Sequence, residues 1–439
     1  MYTAFFVRLP VIFLSLGVSI AAYITSYDLF GSHERAAATA VLMNIIPVFF
    51  IGGIMAITDI PLTFFWILSA LFLIRLIKTK NPVYFYLLAL SLAGALYSKY
   101  TTMFLIFGVV LFFVLSPNRC TWLKNPHLWF SALFAFLLLT PMIWWNYHHD
   151  WISYRFLVNR GAIPQSFSLT KLLDYFFSYH GAQFLLLSPL IYIAVILTLL
   201  RVAKRWLSER DDGVLACLAL SVPALLYFSY LSFRTRTHPN WSLPGYPTAI
   251  ILMVEDVGSR LGERAKLFIY RPGYVKWAAG TALTLCLLIS IHAVVGLTPA
   301  SMLEKDRLQR ELRGWPELGR KISELGKSGQ VIMATRYQVA SELEFYHPEH
   351  PRVYCMNAFG RGNQYDFIND YQALGGKDVL LVTEKGIPGR LAEKFHHVEP
   401  PIKFEVVYRG AVLRTFLIYK CAHFDNSRGI SLEESKKIM

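Results

Sequence analysis

Long apolar runs separated by short polar segments fill the chain from Phe5 to Val295. A helix needs about 20 apolar residues to cross a bilayer, and we count about ten crossings when short and broken runs are included. The runs are 5–24, 36–57, 62–77, 84–97, 103–115, 128–145, 184–200, 214–233, 243–254 and 277–295. This pattern predicts a polytopic α-helical membrane protein with about ten transmembrane helices.

A carboxylate and a proline interrupt the apolar pattern between the second and third runs, in the segment Ile57-Thr58-Asp59-Ile60-Pro61. An ionisable side chain at membrane depth is costly, so it is usually at a water interface, paired or functional. One interpretation is that Asp59 caps the third helix, with Pro61 in its first turn. The other is that Asp59 faces a substrate, and the residues alone leave both open.

The pattern changes near residue 301, where charge rises and the apolar runs shorten. Strands are predicted at 330–334, 352–355 and 378–382, helices at 338–346 and 391–395, and a hairpin at 403–407 and 413–419. We therefore expect a transmembrane domain at 1–300 and a small extracytoplasmic α/β domain at 301–439. The polar residues from about 426 are expected to fray.

Composition agrees with a membrane protein: 55% of residues are hydrophobic, 16% are charged and the mean hydropathy is +0.41. The net charge of +14 does not indicate nucleic-acid binding, because much of the excess lysine and arginine lies in short loops. The basic loops 75–80, 119–124, 201–210 and 260–271 fall on one side in an alternating count, which predicts the cytoplasm. The C-terminal domain then lies on the opposite side.

The five cysteines show no metal-binding spacing. Cys355 and Cys421 both fall in the predicted outer domain, where a disulfide is allowed. Sequence does not give their distance, so the pairing stays open.

Three cationic residues lie on the predicted outer side. Lys99 interrupts two apolar runs; it either snorkels to the interface or offers a point charge to a lipid-linked phosphate. Arg234 and Arg236 share one turn, where the positive-inside rule does not place them. Two such arginines suit a phosphate or diphosphate, and the alternative is pairing with acidic groups of the outer domain.

Polar and aromatic residues on the same side have the chemistry to bind sugars. Asn146, His238, Asn240 and Trp241 offer hydrogen bonds and flat ring faces. The same residue types are typical of a membrane interface, so both interpretations remain.

Several motifs occur in the order of a known family. They are Ile57-Thr58-Asp59-Ile60-Pro61-Leu62, Ser98-Lys99-Tyr100-Thr101, Pro141 through Trp145-Asn146, and His238-Pro239-Asn240-Trp241 with Tyr246-Pro247. The ordered set resembles bacterial membrane glycosyltransferases of the protein O-mannosyltransferase and lipid A aminoarabinose transferase type, which are similar to glycosyltransferase family 39 and have the GT-C fold. Thr335-Arg336-Tyr337-Gln338 and Asn363-Gln364-Tyr365-Asp366-Phe367 resemble the outer domain of one bacterial branch.

The resemblance implies transfer of a sugar, with inversion, from a polyprenyl-phosphate donor to a lipid, glycan or protein acceptor. The location it implies is the periplasmic side of the bacterial inner membrane. Asp59 would be the acidic site residue, and the phosphate contacts would be Lys99, Arg234 and Arg236. The sugar or acceptor pocket would include Asn146, His238, Asn240 and Trp241. No cofactor is specified, and a divalent metal ion stays open.

One feature of that family has no counterpart here. Its principal catalytic aspartate lies in the first outer loop, upstream of an Arg-Leu-Pro that appears as Arg8-Leu9-Pro10, and the chain begins just before that point. Asp59 matches a second, supporting acidic position. We therefore expect either a start assigned too late or a shortened member that transfers sugar poorly or not at all but still binds the lipid carrier. The alternative function is a non-catalytic polyprenyl-phosphate-sugar binding protein or a lipid-linked sugar transporter. Inverted repeats would favour the transporter, and the sequence shows none.

Overall fold

The structure is a computed structural model that describes residues 3–161, 168–262, 267–327, 329–356, 363–425 and 427. The chain separates into two compact units, Met1–Leu288 and Ile289–Met439. The described part of the first unit is helical, and the second unit contains a β-sheet.

The helices of the first unit are α1 (Ala4–Phe30), α2 (His33–Ile45), α3 (Pro47–Gly52), α4 (Asp59–Thr79), α5 (Val83–Ser98), α6 (Met103–Leu115), α7 (Arg119–Lys124), α8 (Pro126–His148), α9 (Ile152–Gly161), α10 (Leu169–Leu187), α11 (Pro189–Glu209), α12 (Asp212–Leu231), α13 (Tyr246–Gly258) and α14 (Pro272–Val295). The division between the units falls within α14. Two short 3₁₀ turns matter for the site: Tyr100–Thr102 between α5 and α6, and Pro239–Gly245 before α13, which we call the Pro239 turn.

Five of the described helices are long and apolar enough to span a membrane: α1, α4, α8, α12 and α14. The consecutive helices α10 and α11, bent by 106° at their junction, raise the count to six if they form one span. A polytopic helical protein is therefore confirmed, whereas the expected ten crossings are supported only in part. Helices α2 and α13 have 13 residues each, about 20 Å, which is shorter than the hydrocarbon core of about 30 Å.

The second predicted run, 36–57, is not one helix. Helix α2 ends at Ile45, and Pro47 begins α3. Proline disfavours a helical conformation in the residue before it, and Ile46 is extended with φ −74° and ψ 124°. Residues 53–58 then leave the helix, and the long buried helix α4 starts at Asp59. The break therefore places a helix N-terminus directly at this carboxylate.

The segment 146–179, between the apolar runs 128–145 and 184–200, is polar and aromatic, and this composition predicts a long loop. The structure instead has α9 and the first half of α10 there, while residues 162–167 lie outside the described part. Helix α10 buries Tyr179, Gln183 and Leu187, which recur every fourth residue and so share one face. The helical period was not recognised in the sequence, because the aromatic and polar residues of this segment are also typical of a membrane interface.

Helix α4 packs closely against its neighbours. A Cβ on Gly94 of α5 would lie 2.6 Å from the Phe65 ring, so only glycine allows this approach. Trp66 Nε1 donates a 3.2 Å hydrogen bond to the carbonyl oxygen of Leu220 in α12. Small residues and hydrogen bonds between helices are the usual means of association inside a membrane. These contacts hold α4 between α5 and α12.

Ion pairs lie at the opposite end of α4 from Asp59. Arg75 Nε is 2.8 Å from Asp28 Oδ2, and Arg201 Nη2 is 2.6 Å from Asp256 Oδ1. Part of the basic charge assigned to the predicted cytoplasmic loops is thus paired within the helical unit. The orientation itself stays a prediction.

The second unit has strands β1 (Val331–Ala334), β2 (Val353–Cys355), β3 (Val379–Thr383), β4 (Phe395–Val398), β5 (Ile402–Tyr408) and β6 (Ala411–Phe424), and helices α15 (Arg307–Leu312), α16 (Trp315–Leu325), α17 (Tyr337–Tyr346), α18 (Tyr365–Ile368) and α19 (Gly389–Ala392). The strand order is β2-β1-β3-β6-β4, with β5 also on β6. Strand β1 is parallel to β2 and β3, whereas β6 is antiparallel to its partners.

The predicted strands, the helix at 338–346 and the hairpin are all present in this unit. The predicted helix at 391–395 is wrong in its second half, because α19 ends at Ala392 and Phe395 begins β4. Four helical residues are too few to show a helical period in sequence. The expected frayed end lies outside the described residues apart from Ser427.

Cys355 and Cys421 are both free and buried. They lie in β2 and β6, with β1 and β3 between them, and the register places Cys355 level with Ile418, so the two Cα atoms are more than about 14 Å apart at the usual strand spacing. A disulfide needs less than about 7 Å. Burial raises the pKa of each thiol to about 12, which keeps both protonated and unreactive. The sheet therefore does not form the disulfide that the sequence allowed.

Candidate active site

Asp59 is the first residue of α4 and is only 4% exposed. Pro61 lies in the first turn, as expected, and Thr58 precedes the helix without a side-chain cap. The Asp59 carboxylate accepts hydrogen bonds from the side chains of Lys99 and Asn240. Among the described residues the carboxylate accepts no backbone N–H hydrogen bond, so the interpretation that Asp59 caps the helix is wrong. The positive end of the helix dipole favours a negative charge at this position.

Lys99 lies in the break between α5 and the turn Tyr100–Thr102. Its backbone is extended, and its carbonyl accepts hydrogen bonds from the Thr102 amide at 3.1 Å and hydroxyl at 2.7 Å. Lys99 Nζ is 2.8 Å from Asp59 Oδ1, and the two side chains are 22% and 6% exposed. The ammonium is thus directed to a buried carboxylate, which simple snorkelling does not explain. One of its three N–H donors is used in this bond.

Asn240 comes from the Pro239 turn, 181 residues after Asp59. Its Nδ2 lies 3.5 Å from Asp59 Oδ1 and 3.4 Å from Oδ2, at the long end of the hydrogen-bond range. The Oδ1 atom also holds Lys99, so Oδ2 has the greater remaining capacity to accept a proton or a hydrogen bond. The three side chains join an acid, a cation and an amide at one end of the helical unit.

Comparison with known proteins gives this arrangement its context. Residues 1–145 match the family model for dolichyl-phosphate-mannose-protein mannosyltransferases. The lipid A galacturonosyltransferase RgtD of Rhizobium johnstonii is 22% identical over 321 residues, which are 70% of this chain and 62% of that protein. The chain thus spans less than two thirds of this curated relative.

Solved structures show a similar fold. ArnT from Cupriavidus metallidurans in the apo state aligns with a TM-score of 0.60 at 13% identity, over 94% of this chain and 83% of ArnT. The same protein bound to undecaprenyl phosphate aligns with a TM-score of 0.58 at 12% identity. The chain therefore has the same type of fold as these membrane glycosyltransferases, the GT-C fold. The family resemblance seen in the sequence is confirmed.

The match to the family model includes Asp59 and Lys99, whereas Asn240 lies beyond it. The Asp59 cluster is thus assembled from the matched N-terminal part and from a turn near the end of the helical unit. The family motifs quoted from the sequence are therefore brought into direct contact across the fold.

Arg234 and Arg236 lie on the exposed connection from α12 to the Pro239 turn. The Arg234 guanidinium carbon is 5.8 Å from the centre of the Tyr230 ring. Among the described residues of the helical unit, neither arginine forms an ion pair with a carboxylate. Both charges are thus placed on the segment that leads directly to Asn240.

His238 and Trp241 flank Asn240 in the chain. Their ring centres are 5.2 Å apart, and the Trp241 ring also lies 5.9 Å from Phe228 of α12. His238 is exposed and Trp241 is half-buried. The turn therefore carries an aromatic surface beside the amide that reaches Asp59.

Asn146 is not brought into the Asp59 cluster by any hydrogen bond that the described residues make. It lies near the end of α8, is 1% exposed, and donates through Nδ2 to the Met142 carbonyl at 3.0 Å. Its Oδ1 and the Thr101 hydroxyl, two residues after Lys99, are buried without a hydrogen-bond partner in the described part of the chain. Unpaired buried polar atoms are rare and need an explanation.

The donor set at Asp59 does not fit a divalent metal ion. No three His, Cys, Asp or Glu side chains within the described ranges lie close enough together to hold one. The single carboxylate faces an ammonium and an amide N–H, neither of which binds a cation.

Gln183 is the main site residue that the sequence did not reveal. It is fully buried in α10, donates to the Pro239 carbonyl at 2.9 Å and accepts from the Tyr246 hydroxyl at 2.9 Å. Gln183 directly precedes the apolar run 184–200, and this position was the only signal in the sequence.

Proposed function

We propose that this protein transfers a glycosyl group from a polyprenyl-phosphate-linked sugar to a lipid, glycan or protein acceptor. The reaction would take place on the periplasmic side of the bacterial inner membrane. The observation that carries the proposal is the buried Asp59–Lys99 pair, joined by Asn240, at the N-terminus of α4. The names of the relatives support the class, since they include a lipid A glycosyltransferase and a protein solved with undecaprenyl phosphate.

The chemistry requires two kinds of group. The bond from the sugar C1 to the phosphate oxygen breaks, and its electron pair leaves with the lipid phosphate. A new bond joins C1 to the acceptor oxygen, whose proton passes to a base. A single displacement of this kind inverts the configuration at C1. A cation near the departing phosphate and a carboxylate near the acceptor are therefore the groups to look for.

Lys99 meets the first requirement. Asp59 fixes its position, while the ammonium retains further N–H donors for a phosphate oxygen. Arg234 and Arg236 supply two more positive charges on the connection to Asn240. The guanidinium group binds phosphate with two parallel hydrogen bonds, which suits a lipid phosphate at an exposed surface.

Asp59 takes a supporting role in this proposal. It holds Lys99 through Oδ1 and lies near the Asn240 amide through Oδ2. Asn240, His238 and Trp241 would contact the sugar or acceptor. The buried and unpaired Oδ1 of Asn146 would accept a hydrogen bond from a hydroxyl group of either one.

The experiment that tests the function is transfer of radiolabelled sugar from a polyprenyl-phosphate donor in proteoliposomes that contain the full chain. We expect labelled acceptor to form. Donor binding without any transfer, across acceptors of all three classes, would favour a non-catalytic lipid-binding protein instead.

The phosphate contacts give a second prediction. Arg236→Ala is expected to weaken donor binding roughly tenfold, because a charge-assisted hydrogen bond is lost, and adding Arg234→Ala weakens it further. Binding of labelled polyprenyl-phosphate sugar to the purified protein measures this. Arg119→Ala changes an exposed arginine on a predicted cytoplasmic loop and serves as the matched control. Unchanged binding in the double variant would assign both arginines a structural role.

The orientation gives a third prediction. We propose that residues 1–300 form the transmembrane domain and residues 301–439 the periplasmic domain. Single cysteines replacing Lys327, Lys80 or Lys204, all exposed, are introduced into a cysteine-free chain. A membrane-impermeant maleimide should label position 327 from outside, and positions 80 and 204 only after the membrane is opened. Labelling of position 204 from outside contradicts the whole orientation.

A further inference from the structure

Gln183 uses both ends of its side-chain amide inside the helical unit. Nε2 donates to the Pro239 carbonyl at 2.9 Å and to Ser242 Oγ at 3.3 Å, and Oε1 accepts from the Tyr246 hydroxyl at 2.9 Å. The side chain is fully buried. Ser242 Oγ also donates to the Pro239 carbonyl, at 3.2 Å, so Gln183 is one of two donors that hold this oxygen. Replacing the buried amide is costly, because the Tyr246 hydroxyl loses its acceptor and the Pro239 carbonyl loses its shorter hydrogen bond.

The bond to Pro239 acts on the residue next to it. The proline ring sets φ of Pro239, and the peptide group from its carbonyl to the Asn240 nitrogen is planar. A hydrogen bond that holds the Pro239 carbonyl oxygen therefore fixes the orientation of the peptide plane between Pro239 and Asn240, and with it the starting direction of the Asn240 side chain. Asn240 Nδ2 then reaches both carboxylate oxygens of Asp59 at 3.4–3.5 Å. Contacts of this length are sensitive to a small shift of the turn.

We propose that Gln183 is a positioning residue that sets the Pro239 turn and thereby directs Asn240 to Asp59. It acts from α10 and makes no hydrogen bond of its own to the carboxylate among the described residues. The inference deepens the proposed function, on which its kinetic test rests.

Gln183→Glu is the most informative change. Glutamate has nearly the same shape and still accepts from Tyr246. When ionised it repels the Pro239 carbonyl oxygen, and when protonated it offers one O–H donor in place of the two N–H donors of the amide. We expect kcat for sugar transfer to fall roughly tenfold, the effect of one lost buried hydrogen bond, with the KM for the donor little changed. Gln183→Leu, which removes all three hydrogen bonds of the side chain, should do the same.

Coupling separates positioning from a general loss of stability. In a chain that already carries Asn240→Ala, the added Gln183→Glu change should reduce kcat no further, because the residue it positions is gone. Independent, multiplying losses of kcat would overturn the inference. Thr248→Val is the matched control: it removes a buried 2.6 Å hydrogen bond to Ser221 in the same region, and among the described residues the Thr248 side chain makes no hydrogen bond to the Pro239 turn. It should lower the unfolding temperature and leave kcat unchanged.

A second readout does not need transfer. The rate of maleimide reaction at Asn240→Cys should change several-fold when Gln183→Glu is added, and should stay the same when Thr248→Val is added. If the wild-type chain transfers no sugar, the proposed function fails and this rate alone decides the positioning. An equal rate in both backgrounds would overturn the inference while leaving the transfer result intact.

Discussion

Asp59→Asn is expected to lower the rate of sugar transfer about 10²-fold or more. General acid–base or electrostatic groups in an active site typically contribute 10²–10⁴-fold, and this carboxylate also fixes Lys99. Asparagine keeps the shape but removes the negative charge, so the ammonium loses its partner. The proteoliposome transfer assay measures the effect as kcat, with donor binding measured in parallel.

The control for this variant lies at the other end of α4. Asp28 pairs with Arg75 at 2.8 Å, so Asp28→Asn breaks a carboxylate–cation pair of the same helical unit far from Asp59. It should leave transfer within a few-fold of the wild-type rate. If Asp59→Asn abolishes transfer with donor binding intact, Asp59 acts on the acceptor as the base. If the transfer rate and donor binding fall together, Asp59 acts through Lys99 on the phosphate. Full activity in Asp59→Asn would remove the cluster from the mechanism.

The Asp59–Lys99 pair is expected to be strongly coupled in stability. Removing one partner of a buried ion pair typically destabilises by about 3–5 kcal/mol, and Lys99 is 22% exposed, so we expect about 3 kcal/mol for Lys99→Met or Asp59→Asn. The double variant should lose clearly less than the sum, because no charge is then left buried alone. Unfolding of the four proteins in detergent measures this cycle.

The more exposed Arg75–Asp28 pair supplies the comparison. Its side chains are 36% and 23% exposed, and the same cycle there should give a coupling of no more than about 1 kcal/mol. Additive losses at Asp59 and Lys99 would show that the pair is held by its surroundings and not by its charges. Lys99→Met should also weaken donor binding if its ammonium contacts the phosphate.

The C-terminal sheet shows how far local pattern reaches. Strands β1, β2 and β3 were predicted from short apolar runs. The hairpin of β5 and β6 was predicted from two segments that lie close together in the chain, 403–407 and 413–419. The hairpin turns at Arg409 and Gly410, both with positive φ, as a two-residue turn requires. Strand β6 also pairs with β3 and β4, and this was not evident, because partners between distant strands depend on the whole sheet.

The membrane helices show the limit of the same reasoning. Apolar runs gave the positions of most helices, since hydrophobicity over a window is a local property. The break at Pro47 and the helix α10 depended on which residues are buried. Gln183 was overlooked for that reason: a polar residue at the edge of an apolar run means little until its partners are known.

The sequence by itself determined that this is a helical membrane protein with a C-terminal α/β unit, and that Asp59 begins a helix. Hydropathy, proline and the residues flanking a helix act over a few positions, so a linear chain displays them. Only the tertiary structure decided that Asp59 meets Lys99, 40 residues away, and Asn240, 181 residues away. Such contacts depend on how whole helices pack, because a side chain reaches only the neighbours that packing brings within a few ångströms.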